Sequence, residues 1–192
     1  MKKLIKILKW IIPVSLVLTV ISAALLFFLP DAYPNIVQGS NGFGPFDFRL
    51  SYSAEAVMTV LSHFDGDKES AYAAFFVFDY IFVACYTIFT FSVPLIIYAK
   101  DDKHYLLFRA AAFSSVMSML FNVLENLCIM NLVRITPLFT DGDVNLSSGL
   151  TTLKWVFTGI WLLSTVFLLI VTAVDCVRKN KTKNKNVSKS AV

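Results

Sequence analysis

The chain has 192 residues, of which 57% are hydrophobic and 16% charged, with 18 phenylalanines and a formal net charge of +4. A soluble domain is about 45–50% apolar and about 25% charged, so this composition leaves more apolar surface than its charges can cover. It excludes a disordered chain, a collagen-like repeat and a disulfide-dense secreted domain, and points to an integral membrane protein.

A bilayer core about 30 Å thick calls for about 20 mostly apolar residues per helix. The first predicted span, residues 10–29, is uncharged from Trp10 to Leu29. The lysines before it suit a signal peptide. The apolar run, however, is longer than the roughly 7–15 residues of such a segment, so an uncleaved span is expected. The loop 30–70 opens with turn-forming residues at Pro30-Asp31, Pro34-Asn35, Gly39-Ser40-Asn41-Gly42 and Gly44-Pro45. At 53–64, Ala54, Val57, Met58 and Leu61 recur at helical spacing, with Ser53 as N-cap and Glu55 in the first turn. That pattern predicts a short amphipathic helix, capping the bundle or lying on the membrane surface.

The second span, 71–99, contains Asp79 as its single charge, and Pro94, which should bend or locally open the helix. The third, 110–133, is broken only by Glu125, and the fourth, 150–174, carries Lys154 near its start. Residues 178–192 are expected to form a disordered basic tail. The predicted fold is thus all-α, a single transmembrane domain over 1–177 built as an antiparallel four-helix bundle.

Charge asymmetry sets the predicted orientation. Lys2, Lys3, Lys6 and Lys9, then Lys100, Lys103 and Arg109, then Arg178 and the tail lysines all fall on one side. Asp31, Asp47, Glu55, Asp65, Asp67, Glu69, Asp141 and Asp143 fall on the other. Both termini are therefore expected in the cytoplasm of a multi-pass cell-membrane protein. The expected partners are the bilayer, anionic lipid headgroups met by the basic tail, and a membrane protein; no nucleic-acid partner is needed. Cys85, Cys128 and Cys176 show no Cys-x-x-Cys spacing, and His63 and His104 lie on opposite sides. No metal, cofactor or structural disulfide is expected.

Asp79, Glu125 and Lys154 stand apart from this topology. A charge at the centre of a membrane helix costs about 2.5–3.5 kcal/mol on insertion scales, so it needs a partner or a wet cavity. At 1.5 Å per residue, Asp79 and Glu125 each lie ~12 Å inward from the outer ends of their spans. The faces agree: Tyr72, Asp79 and Tyr86 share a stripe of span two, and Ser114, Ser118, Asn122, Glu125 and Asn126 share one of span three. In span four, Thr151, Thr158, Thr165 and Thr172 repeat every seven residues with Lys154 beside them, while span one offers Ser15, Thr19 and Ser22. Such small, hydroxylated faces let membrane helices approach and hydrogen-bond. The candidate site is Asp79, Tyr86, Asn122, Glu125, Asn126 and Lys154, with Asp79 and Glu125 sharing the one ammonium. It reads either as a buried ion cluster that fixes helix register or as a polar pocket opening outward.

The motifs Ser53-x-x-x-Val57, Tyr72, Asp79-x-x-Phe82-x-x-x-Tyr86, Glu125-Asn126 and Thr151-Thr152-Leu153-Lys154 extend across residues 47 to 175. In this layout the chain resembles a loosely defined group of uncharacterised four-span bacterial integral membrane proteins. The chain departs from the group at Val83, where a proline often follows the phenylalanine. The resemblance implies the fold and the site and no particular activity. The leading functional expectation is a non-enzymatic accessory or envelope component. The alternatives are a small proton-coupled transporter using Asp79 and Glu125, and an intramembrane enzyme acting on a lipid or isoprenoid.

Overall fold

The computed structural model describes residues 2–100 and 102–190. Among them every regular element is helical: α1 (Lys2–Phe28), α2 (Tyr33–Gly39), a 3-10 turn (Phe46–Phe48), α3 (Ala54–Ser62), α4 (Lys68–Lys100), a second 3-10 turn (Asp102–His104), α5 (Tyr105–Ile135) and α6 (Asp141–Ser190). Four stretches, Ile5–Gly39, Lys68–Ala99, Tyr105–Ile135 and Asp141–Arg178, are long and apolar enough to cross a membrane. Each contains one expected span and outruns it. Hydropathy ends where charges begin, but Lys, Glu and Arg are good helix formers and carry the helix on. Helix α6 also continues to Ser190, through the basic segment expected to be disordered. Ala191 and Val192 lie outside the described residues, as do the side chains from 179 onward.

Helix α1 packs along α4, α4 on α5, and α5 most extensively on α6, with a lighter contact between α4 and α6. Ser15 and Ser22 of α1 are buried, yet each hydroxyl of its polar stripe bonds its own helix. Ser15 donates to Ile12 O at 3.1 Å, Thr19 to Ser15 O at 2.7 Å and Ser22 to Thr19 O at 3.0 Å. This stripe permits close approach without hydrogen bonds between helices, unlike the stripes of α4, α5 and α6.

The segment 30–67 folds over one end of the long helices, and the main buried apolar core gathers there. Phe46, Tyr72 and Phe75 are fully buried, with the Phe46 and Tyr72 rings stacked at 6.3 Å. Pro34 and Asn35, read from the sequence as a turn, begin the unforeseen helix α2, because proline's fixed φ suits a first helical turn. This helix sends Ile36 into the core and ends at Gly39, where an added Cβ would collide with the Phe64 ring. Ser53 caps α3 as expected, its Oγ accepting from Ala56 N at 3.3 Å. Val57, Val60 and Leu61 turn inward, so α3 covers the helix ends.

Pro94 does not interrupt α4, which runs on to Lys100. Proline has no N–H, so the carbonyl four residues earlier, on Thr90, loses its helical donor. The indole of Trp161 on α6 supplies one, at 3.1 Å to Thr90 O. The Thr90 hydroxyl bonds Ser115 Oγ of α5 at 2.7 Å. The expected weak point is therefore where three helices are tied. Trp161→Phe should cost about 1–3 kcal/mol by orphaning a buried carbonyl. The cost should shrink in a Pro94→Ala background, where residue 94 provides the missing N–H. Denaturant titration of the four proteins in detergent checks this, and equal losses in both backgrounds would refute the link.

Candidate functional site

Lys154 stands one turn beyond Thr151 on α6, so both face α5. Its side chain is almost wholly enclosed, and Nζ lies 2.6 Å from Glu125 Oε2, 2.9 Å from Asp47 Oδ1 and 3.1 Å from the Asp47 carbonyl. Glu125 is fully buried, and its other oxygen accepts the Thr151 hydroxyl. The two α6 side chains thus bind separate oxygens of one α5 carboxylate.

Asp47 comes from the 3-10 turn that follows Pro45, and it too is buried. Its segment is fixed along the start of α6. Trp155 Nε1 donates to Asp47 O at 3.3 Å and Thr152 Oγ1 to Leu50 O at 2.9 Å. Tyr52 N donates to Ser148 Oγ at 3.0 Å, and the Tyr52 hydroxyl meets Ser147 Oγ at 2.6 Å. Burial, opposed by the Ser147 and Thr151 hydroxyls, pushes the Tyr52 phenol up to about 12, so it stays protonated over the neutral range.

Asp79 departs from the expected pairing. It is buried on α4, and its Oδ2 accepts from Asn122 Nδ2 and Asn126 Nδ2, both at 2.7 Å. Asn122 and Asn126 are four residues apart on α5 and so present their amides side by side. Among the described residues Asp79 forms no ion pair, and Lys154 pairs instead with Asp47 and Glu125. The sequence reading placed Asp47 among the solvated loop acids. Its setting, next to Phe46, was the available signal: Phe46 is fully buried and takes Asp47 in with it, while Phe48 on the other side stays exposed. Tyr52, Ser147 and Thr151 also belong to the cluster and were not among the candidates.

Tyr86 lies further along α4. Its buried hydroxyl sits beside Ser118 and Thr158, which bond each other at 2.7 Å. A cavity of about 200 Å³ opens between α4, α5 and α6. Asp79, Asn122 and Lys154 line one part of it, and Tyr86, Ser118 and Thr158 another; Phe82, Val83, Met119 and Trp155 supply apolar wall. Glu125 and Asn126 do not line it. The six candidates therefore divide: Asp79, Tyr86, Asn122 and Lys154 line the cavity, Lys154 also pairing with Glu125 and Asp47, while Glu125 and Asn126 lie behind its wall. Among the described residues no three His, Cys, Asp or Glu side chains group as a metal site, and the ammonium of Lys154 occupies the space between the clustered carboxylates.

Removing Lys154 should leave two buried carboxylates facing each other. Lys154→Met is expected to cost about 3–5 kcal/mol, and adding Asp47→Asn with Glu125→Gln should recover most of it. Unfolding of purified protein reads this; a Lys154→Met loss below about 1 kcal/mol would show that the cluster does not hold the fold. Comparison with protein families, with curated proteins and with solved structures finds no match to this chain.

Proposed function

We propose that this chain is a non-enzymatic multi-pass protein of the cell membrane, an accessory or envelope component that binds a ligand within its helix bundle. The single observation carrying this reading is the cavity beside Asp79, a polar-headed space with apolar walls between long apolar helices. Binding sites have that character: mostly apolar lining and a few convergent polar groups.

Membrane insertion is supported by what the helices leave uncovered. Leu16, Val17, Leu18 and Val20 of α1 and Leu162, Leu163 and Phe167 of α6 are exposed, and no aqueous monomer keeps such faces wet. An antiparallel order is supported by the cross-helix pairs. Asp79 meets Asn126, Thr90 meets Ser115 and Tyr98 stacks on Phe108. Glu125 likewise meets Thr151, Ser118 meets Thr158 and His104 meets Asp175. In each series one number rises as the other falls. With the basic residues inside, both termini are cytoplasmic and the cavity lies in the outer half of the bilayer. Kinship with the four-span bacterial group belongs to the same reading and rests on the motifs around Asp79, Glu125 and Lys154.

Two measurements test the proposal. A cysteine at Asn41 should react with a membrane-impermeant thiol reagent in intact cells, and one at Lys181 only after permeabilisation, in a background freed of native cysteines; the reverse pattern would overturn the orientation. Native mass spectrometry from mild detergent should show a bound species that Met119→Trp, which fills the cavity, no longer retains. Identical spectra for the two proteins would remove the binding reading.

A further inference from the structure

Resting on the binding reading above, we infer that the cavity takes a compact organic cation, a protonated or quaternary amine carrying an apolar substituent. Lys154 is the cation in the cavity wall. An ammonium has three N–H donors, and here Glu125, Asp47 Oδ1 and the Asp47 carbonyl engage them. It has no donor left for an anionic ligand.

Asp79 is in the opposite condition. It is 4% exposed, and both amide donors converge on Oδ2, so among the described residues Oδ1 carries no hydrogen bond. Asp79 lines the cavity, so a ligand N–H or an alkylammonium charge there would meet an oxygen whose acceptor capacity the two amides leave unused. The formal charges agree. Asp47, Asp79 and Glu125 outnumber Lys154 three to one, and the excess remains negative even with one carboxyl protonated. The walls suit the substituent: Phe82 and Tyr86, stacked at 6.0 Å, stand on α4, while the Trp155 ring on α6 already has Lys154 Nζ 5.5 Å from its centre and adds apolar wall only. Aromatic faces attract alkylammonium ions and accept their apolar groups. Asn122 and Asn126 hold the carboxylate in place, which makes them positioning residues.

Isothermal titration of the full chain in detergent tests this with three probes of similar size: benzyltrimethylammonium, its neutral carbon isostere neopentylbenzene, and benzenesulfonate. The cation should bind roughly tenfold tighter than the neutral isostere, and the sulfonate should bind weakest. Asp79→Asn should abolish the preference while still binding neopentylbenzene, a signal that the cavity survives. Should that variant fail to fold, the comparison of probes on the unaltered chain decides alone. Equal binding of cation and isostere would overturn the cation assignment and leave the cavity reading standing, and so would tighter binding of the sulfonate. Binding undiminished by Met119→Trp would overturn both.

Discussion

The architecture depends on one ammonium held between two carboxylates that come from distant parts of the chain. Lys154 joins α6 to Glu125 on α5 and to Asp47 in the segment between α2 and α3. Neither acid is replaceable by geometry alone. Glu125 is in register with both Thr151 and Lys154, while Asp47 offers its side chain and its own carbonyl. A buried ion pair rarely adds net stability over a well-packed apolar substitute, but it discriminates strongly against wrong registers, since any slip strands a charge. Here the register so chosen fixes α5 against α6 and also places the Pro45–Arg49 strap over the cavity.

The aromatic core at the loop end follows from that placement. Once Asp47 is anchored, its neighbours Phe46 and Phe48 have fixed positions, and Phe46 meets Tyr52 at 5.0 Å and Tyr72 at 6.3 Å. Non-directional packing then fills in around a directional contact. The ion cluster and the apolar core therefore act at different levels, one choosing the arrangement and the other supplying most of the favourable burial. At the far side of the cavity the Thr90 carbonyl, freed by Pro94, does a similar job with Trp161.

The long helices were legible because hydropathy over some twenty residues is a local property, and Ser53 was legible as a cap because its partner lies three residues away. Asp79, Asn122, Glu125, Asn126 and Lys154 were legible as a polar group because period and depth are carried by single helices. Which acid meets Lys154 was not. That depends on how the segment 30–67 folds back, and a contact between residues 47 and 154 leaves no periodic trace. Helix α2 was lost for a related reason: Pro34 and Asn35 favour turns and first helical turns alike, and only the burial of Ile36 decides between them.

The hydroxyls of α1, each bonded within its own helix, bear on how the chain is assembled. On the membrane reading, the hydroxyls of Ser15, Thr19 and Ser22 ask nothing polar of any neighbour, and α1 can rest among lipids alone while the remaining chain is still being synthesised. Helices α5 and α6 have no such independence. Glu125, well inside its span, would enter hydrocarbon alone at a cost of about 2.5–3.5 kcal/mol, and Lys154, nearer the end of its span, at a smaller one. Joined by the short connection 136–140, they can enter as a neutralised pair. The polar chemistry of this protein thus divides its helices into one that is self-sufficient at birth and two that are obliged to arrive together.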